Sequence, residues 1–154
     1  MFLFMKKNKK NDVINISQKE WRDYHFEAFN LYFKNNLQGK SVINPVLGEI
    51  FFFKSTGAKE TIFRNRNDLF LLPYIIAIPS LLKISSDVIE EEIVHDKTAK
   101  GVTRLWRVKG KIKVEGKIIR AVEVIVLEDK EHIKYYTFDA RFFKIGKNSK
   151  KKKT

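Results

Sequence analysis

Between two apolar runs, Ile50-Phe51-Phe52-Phe53 and Leu69-Phe70-Leu71-Leu72, lies the stretch STGAKETIFRNRND, residues 55–68. It gathers Lys59, Glu60, Arg64 and Arg66, group types that suit metal-independent work on a phosphodiester. In such chemistry a base takes the 2′-hydroxyl proton and an acid protonates the leaving oxygen. Cations stabilise the charge that develops on the phosphorane. The plainer reading of the same stretch is a solvated polar bridge.

A second concentration is the alternation Arg107, Lys109, Lys111, Lys113, with Trp106, Val108, Ile112 and Val114 on the opposite parity. Alternation in a strand puts the four cations on one sheet face, a spacing suited to nucleic-acid phosphates. Tyr135 and Phe138 would offer stacking surfaces. The bland alternative is an ordinary solvated sheet face. Of the three histidines, His25 sits next to the stripe of a helical pattern and His132 at a turn signal. His95 lies beside Asp96 and Lys97 and is the candidate general acid. None has metal-ligand spacing, so no metal site and no cofactor is expected. P-loop, dinucleotide-binding and nucleophile-elbow patterns are missing, which disfavours the common kinases, dehydrogenases and hydrolases.

The charge of +13 over 154 residues is unevenly placed. Lys6, Lys7, Lys9 and Lys10 stand near one end, and Lys147 with Lys150 to Lys153 near the other. Those nine leave +4 for residues 11–146. The expected organisation is therefore two basic disordered tails, 1–10 and 147–154, around one globular domain, 11–146. With no cysteine, a disulfide framework, a thiol nucleophile and a thiolate zinc site are excluded. The apolar opening Met1–Met5 is too short for a secretory core, and no apolar run reaches membrane-spanning length. A cytoplasmic protein with no membrane partner is the expectation.

The elements that must position these groups follow from pattern. Ser17-Gln-Lys-Glu20 is a capping box, and Trp21, Tyr24, Ala28, Leu31 and Tyr32 recur at helical spacing, predicting a helix over 17–37 with Gly39 as terminator. Glu49–Lys54 reads as a buried strand. From Asn67 or Asp68, Leu69, Leu72, Ile76 and Leu81–Leu82 predict helix, with Pro73 and Pro79 dividing or kinking it. Strands are predicted over 88–95, 103–114, 117–127 and 133–140, separated by turn signals. The sum is α+β: an N-terminal helix, a strand, a short or kinked helix, then an antiparallel meander of about four strands, with helices on one sheet face.

The run GEIFFFKSTGAKETIFRNRNDLFLLPYIIAIPSLLKIS, the later hairpin and Lys134-Tyr135-Tyr136-Thr137-Phe138 carry a resemblance. They look like the strand–Gly-x-Lys–helix segment and final strand of small domains from phage and mobile-element polyvalent proteins. Those domains resemble the barnase–EndoU–colicin E5/D–RelE superfold, largely metal-independent ribonucleases and toxins. The likeness covers roughly Val46 to Phe143. Where many relatives have histidine after the Gly-x-Lys-like turn, this chain has Glu60, following Gly57-Ala58-Lys59.

The resemblance implies a metal-independent endoribonuclease-like domain, a toxin or mobile-element effector, with RNA as partner and a cognate inhibitor protein as a second. Lys59, Arg64 and Arg66 would bind phosphate, Glu60 or His95 would move protons, and Tyr136 or Thr137 would orient substrate. Arg107, Lys109, Lys111 and Lys113 would position the RNA. The alternatives are a non-catalytic nucleic-acid-binding accessory domain and a protein-interaction module.

Overall fold

A computed structural model describes residues 13–68, 71–93, 101–116 and 119–145. The tail lysines and His95 therefore lie outside the described residues. Helix α1, Gln18–Asn36, begins at the expected capping box: the Ser17 hydroxyl accepts from the Glu20 N–H at 3.1 Å, and the Glu20 carboxylate accepts from the Ser17 N–H at 3.0 Å. Its buried face differs from the expected stripe. Phe29 and Phe33 are buried, with Trp21, Phe26 and Tyr32 beside them, whereas Tyr24 and Leu31 are exposed. The aromatic rings win the core because they bury more apolar area than alternative faces containing Ala28 and Leu31.

Strands β1, Ser41–Asn44, and β2, Gly48–Phe51, form a hairpin of which only the second strand is legible by pattern. Its turn is held by Asn44, which is buried and fully bonded. The amide donates to the Leu82 and Ser85 carbonyls at 2.7 and 2.9 Å, and its oxygen accepts from the N–H groups of Val46 and Leu47 at 2.8 Å. The polar bridge is a helix: α2, Thr56–Arg64, burying Ala58, Thr61 and Ile62. Helix α3, Leu71–Ile84, runs on through Pro79 as one element rather than two pieces. Pro73 falls in its first turn, where a missing N–H costs nothing, and Pro79 is itself buried among its neighbours.

The remaining strands are β3, Asp87–Glu91; β4, Val102–Ile112; β5, Arg120–Asp129; and β6, Lys134–Lys144. They form the expected antiparallel meander. The hairpin joins it through a short parallel pairing of β2 with β6, giving one six-stranded mixed sheet in the order β1-β2-β6-β5-β4-β3. Val108, Ile112, Val122, Val124, Val126, Tyr136, Phe138 and Ala140 face the helices and are buried. No helix among the described residues covers the other face. Among the described residues no helix is long and apolar enough to cross a membrane.

One irregularity governs the site. Val124 pairs with Ala140 but Val126 pairs with Tyr136, so β6 bulges by two residues around Phe138. A slip of two preserves the alternation of faces. Phe138 takes φ of 71°, a region costly for a bulky side chain. Its ring lies against Phe29, Phe33, Phe52 and Tyr136, at centroid distances of 4.6 to 5.8 Å. That burial offsets the backbone strain.

Candidate nucleic-acid interface

Helix α2 docks on the bulge. β2 covers only the beginning of β6, pairing at Lys134 and Tyr135, and α2 takes up the edge beyond it. The buried Thr61 hydroxyl donates to the Phe138 carbonyl at 2.8 Å and accepts from the Ala140 N–H at 3.0 Å. One side chain thus satisfies two backbone groups that the missing strand would have paired. Arg64, a turn further on, donates to the Ala140 carbonyl at 2.9 Å and stands 3.5 Å from the Asp139 carboxylate. Gly57 permits the approach: a Cβ there would stand 2.7 Å from the Asp139 nitrogen. We expect Gly57→Ala to lower stability by about 1–2 kcal/mol. The gain of about 1 kcal/mol in helix propensity is outweighed because the clash is with backbone, which cannot swing aside. Thermal unfolding measures the sign.

With α2 on the rim, the open sheet face forms a groove of about 320 Å³. Arg64, Arg107 and Arg141 meet Glu91, Glu123 and Asp139 there, over a floor including Leu105, Ile125 and Leu127. Strand register arranges the charges. Arg141 lies opposite Glu123, Glu123 opposite Lys109, and Lys109 opposite Asp87. Arg107 is gripped from both sides: its guanidinium reaches the Glu91 carboxylate through bonds of 2.9–3.0 Å and Glu123 at 3.2 Å. Arg141 is exposed and has no ion-pair partner among the described residues. Thr137 also lines the groove. Among the described residues, no three His, Asp or Glu side chains cluster as metal ligands.

The sequence candidates divide accordingly. Arg64, Arg107 and Thr137 meet in the groove, and Lys109 lies on the same face. Lys111 follows it along β4, and Lys113 lies just past the strand end. Lys59 and Glu60 are exposed on α2 and do not line the groove; the Lys59 ammonium lies 5.7 Å from the Phe26 ring centroid, towards α1. Arg66 donates to the Gln18 side chain and the Phe63 carbonyl, both at 3.1 Å, and stacks on Phe63, tying α2 to α1. Tyr136 requires a correction. It shares parity with Phe138 and Ala140, so it faces the core and is fully buried. Burial, reinforced by the Asp139 carboxylate, raises its phenol well above the ordinary value; it cannot touch a surface substrate.

The cation row also proves less bare of acid than β4 alone suggests, because β3 and β5 bring Asp87, Glu91 and Glu123 alongside it. Those acids, together with Asp139 and Arg141, are the site residues that sequence reasoning missed. The alternation Asp139-Ala-Arg141 carries a signal, but the predicted strand stops at Ala140.

Fold and site thus define an α+β domain with an open sheet face whose groove mixes arginine and carboxylate. The chain belongs to the family described as large polyvalent protein-associated domain 3, matched over residues 7–136. The polyvalent-protein part of the resemblance therefore stands. No curated protein and no solved structure matches the chain. The family match ends at Tyr136, so the bulge and the groove residues Thr137, Asp139 and Arg141 lie beyond it.

Proposed function

We propose that this polyvalent-protein accessory domain is ribonuclease-like, of the barnase–EndoU–colicin E5/D–RelE type, and takes RNA on its open sheet face. The observation that carries the reading is Glu123, a carboxylate bonded to Arg107 in a concave groove, with Arg141 and Lys109 as its cross-strand neighbours. A surface built only to hold phosphates gains nothing from acids among its cations. A site that must deprotonate a 2′-hydroxyl and then stabilise phosphorane charge needs both. Glu123 is the base in this reading, Arg107 and Arg141 the charge stabilisers, and Thr137 a substrate-orienting hydroxyl. The acid role falls to His95, four residues after Glu91 in the chain. The mobile-element setting suits an effector of this kind, with a cognate inhibitor as its protein partner.

The experiment is incubation of purified protein with RNA in EDTA. Cleavage is expected, and Glu123→Gln should slow it by about 10²–10⁴-fold, the usual contribution of a general base, with binding retained. Intact RNA at high enzyme concentration would reject the catalytic reading. The non-catalytic binding reading draws on the grip of Glu91 on Arg107. In both readings phosphate must displace Glu91, so Glu91→Gln should tighten RNA binding several-fold, and Arg141→Glu should weaken it and flatten its salt dependence. Filter binding at two salt concentrations checks these outcomes.

A further inference from the structure

The open face carries an aromatic ring that nothing so far explains. Phe143 is 46% exposed near the end of β6, and among the described residues no ring or cation stacks on it. It belongs to the same face as Arg141, two residues before it and hence about 7 Å away along the strand. Its register partner is the small Ala121, whose own partner on the far side is Lys111. Beyond Ala121, two strand spacings or about 10 Å across the sheet, Lys111 is exposed. An exposed ring is thereby set between two cations, at the margin of the arginine groove.

We infer that Phe143 is a stacking platform for a nucleobase, and that the ligand of this face is single-stranded RNA. Aromatic rings interleaved with cations hold single strands because each base offers a π-face while the phosphates follow the charge. In a duplex the bases are already stacked, and the ring could reach none of them without unpairing the strand. The proposal rests on the RNA reading above and adds strandedness to it. One base lies on Phe143, its flanking phosphates face Arg141 and Lys111, and the chain continues into the groove towards Arg107.

The test uses the full chain and three probes: a single-stranded oligouridylate, an RNA duplex of equal length, and inorganic polyphosphate, which has charge but no bases. Phe143→Ala should weaken oligouridylate binding about tenfold and leave polyphosphate binding unchanged. Phe143→Trp should retain affinity and have its fluorescence quenched by oligouridylate but not by polyphosphate. Equal losses for both single-chain probes, no loss for either, an unquenched tryptophan, or duplex binding as tight as single-strand binding would overturn the proposal. Failure of the wild-type chain to bind any of the three would instead overturn the underlying RNA reading.

Discussion

Thr61→Val is expected to destabilise the domain by about 3 kcal/mol while changing almost no volume. The hydroxyl bridges the Phe138 carbonyl and the Ala140 N–H in a fully buried setting. Valine leaves two backbone groups desolvated and without that partner, each costing about 1–3 kcal/mol. Neither has a neighbouring strand on that side to turn to. Thr61→Ser keeps the bridge and loses one methyl, about 1 kcal/mol. Urea unfolding of the pair separates bond from bulk; equal losses for both would reject the bridging role. Because Arg64 and Asp139 are placed by the same docking, RNA binding should fall with Thr61→Val under conditions where the chain is still folded.

Glu128→Ala should cost a comparable amount, about 3 kcal/mol, and abolish part of the acid sensitivity. This carboxylate is buried at the end of β5. It accepts from the Trp106 indole at 3.0 Å and lies 3.3 Å from His132 Nδ1 and 3.7 Å from the Lys134 ammonium. Burial alone would raise its pKa. The bonds from Trp106 and His132 and the charges of Lys134 and Arg104 prevail, leaving it below the ordinary glutamate value. Removing it strands an indole N–H and a half-buried ammonium. A folded pKa below the unfolded one gives stability that is complete above the unfolded value, about 4.3. That stability is lost as pH falls through the folded value. Glu128→Gln keeps an acceptor for Trp106 and cannot titrate, so its urea midpoint should fall less than that of wild type between about pH 5 and pH 3. Parallel acid slopes would contradict this account.

The elements that sequence reasoning recovers are those whose signal is local and repeated. The Ser17–Glu20 box marks the start of α1, and the alternation from Trp106 to Ile112 marks β4 and its buried face. The antiparallel meander follows from turn signals. Helix α2 escapes because its buried set, Ala58, Thr61 and Ile62, is small and half polar, and Lys59, Glu60 and Arg64 dominate the stretch. β1 is four residues long and owes its place to Asn44 and the end of α3, a contact between distant parts of the chain. The site was only half legible for a related reason. Arg107 shows in the sequence, but its partners Glu91 and Glu123 reach it through cross-strand register, which no single strand displays. Tyr136 was not legible either: Phe138, which shares its parity, reads in the sequence as a stacking surface, and only the packing of that ring on Phe29, Phe33 and Phe52 shows that both residues face the core.

The docking of β2 and α2 on β6 also has a consequence in time. Thr61 waits for a partner 77 residues downstream, and Ile50 for Lys134. During synthesis, Phe29, Phe52 and Ile62 emerge well before Phe138, the ring around which the aromatic core closes. Contacts of such long sequence separation slow folding and expose apolar surface meanwhile. A nascent chain halted at Tyr136 would contain every residue of the family match and still lack the strand segment on which α2 is seated. The domain is finished from its far end, by the same eight residues that carry Arg141 and Phe143.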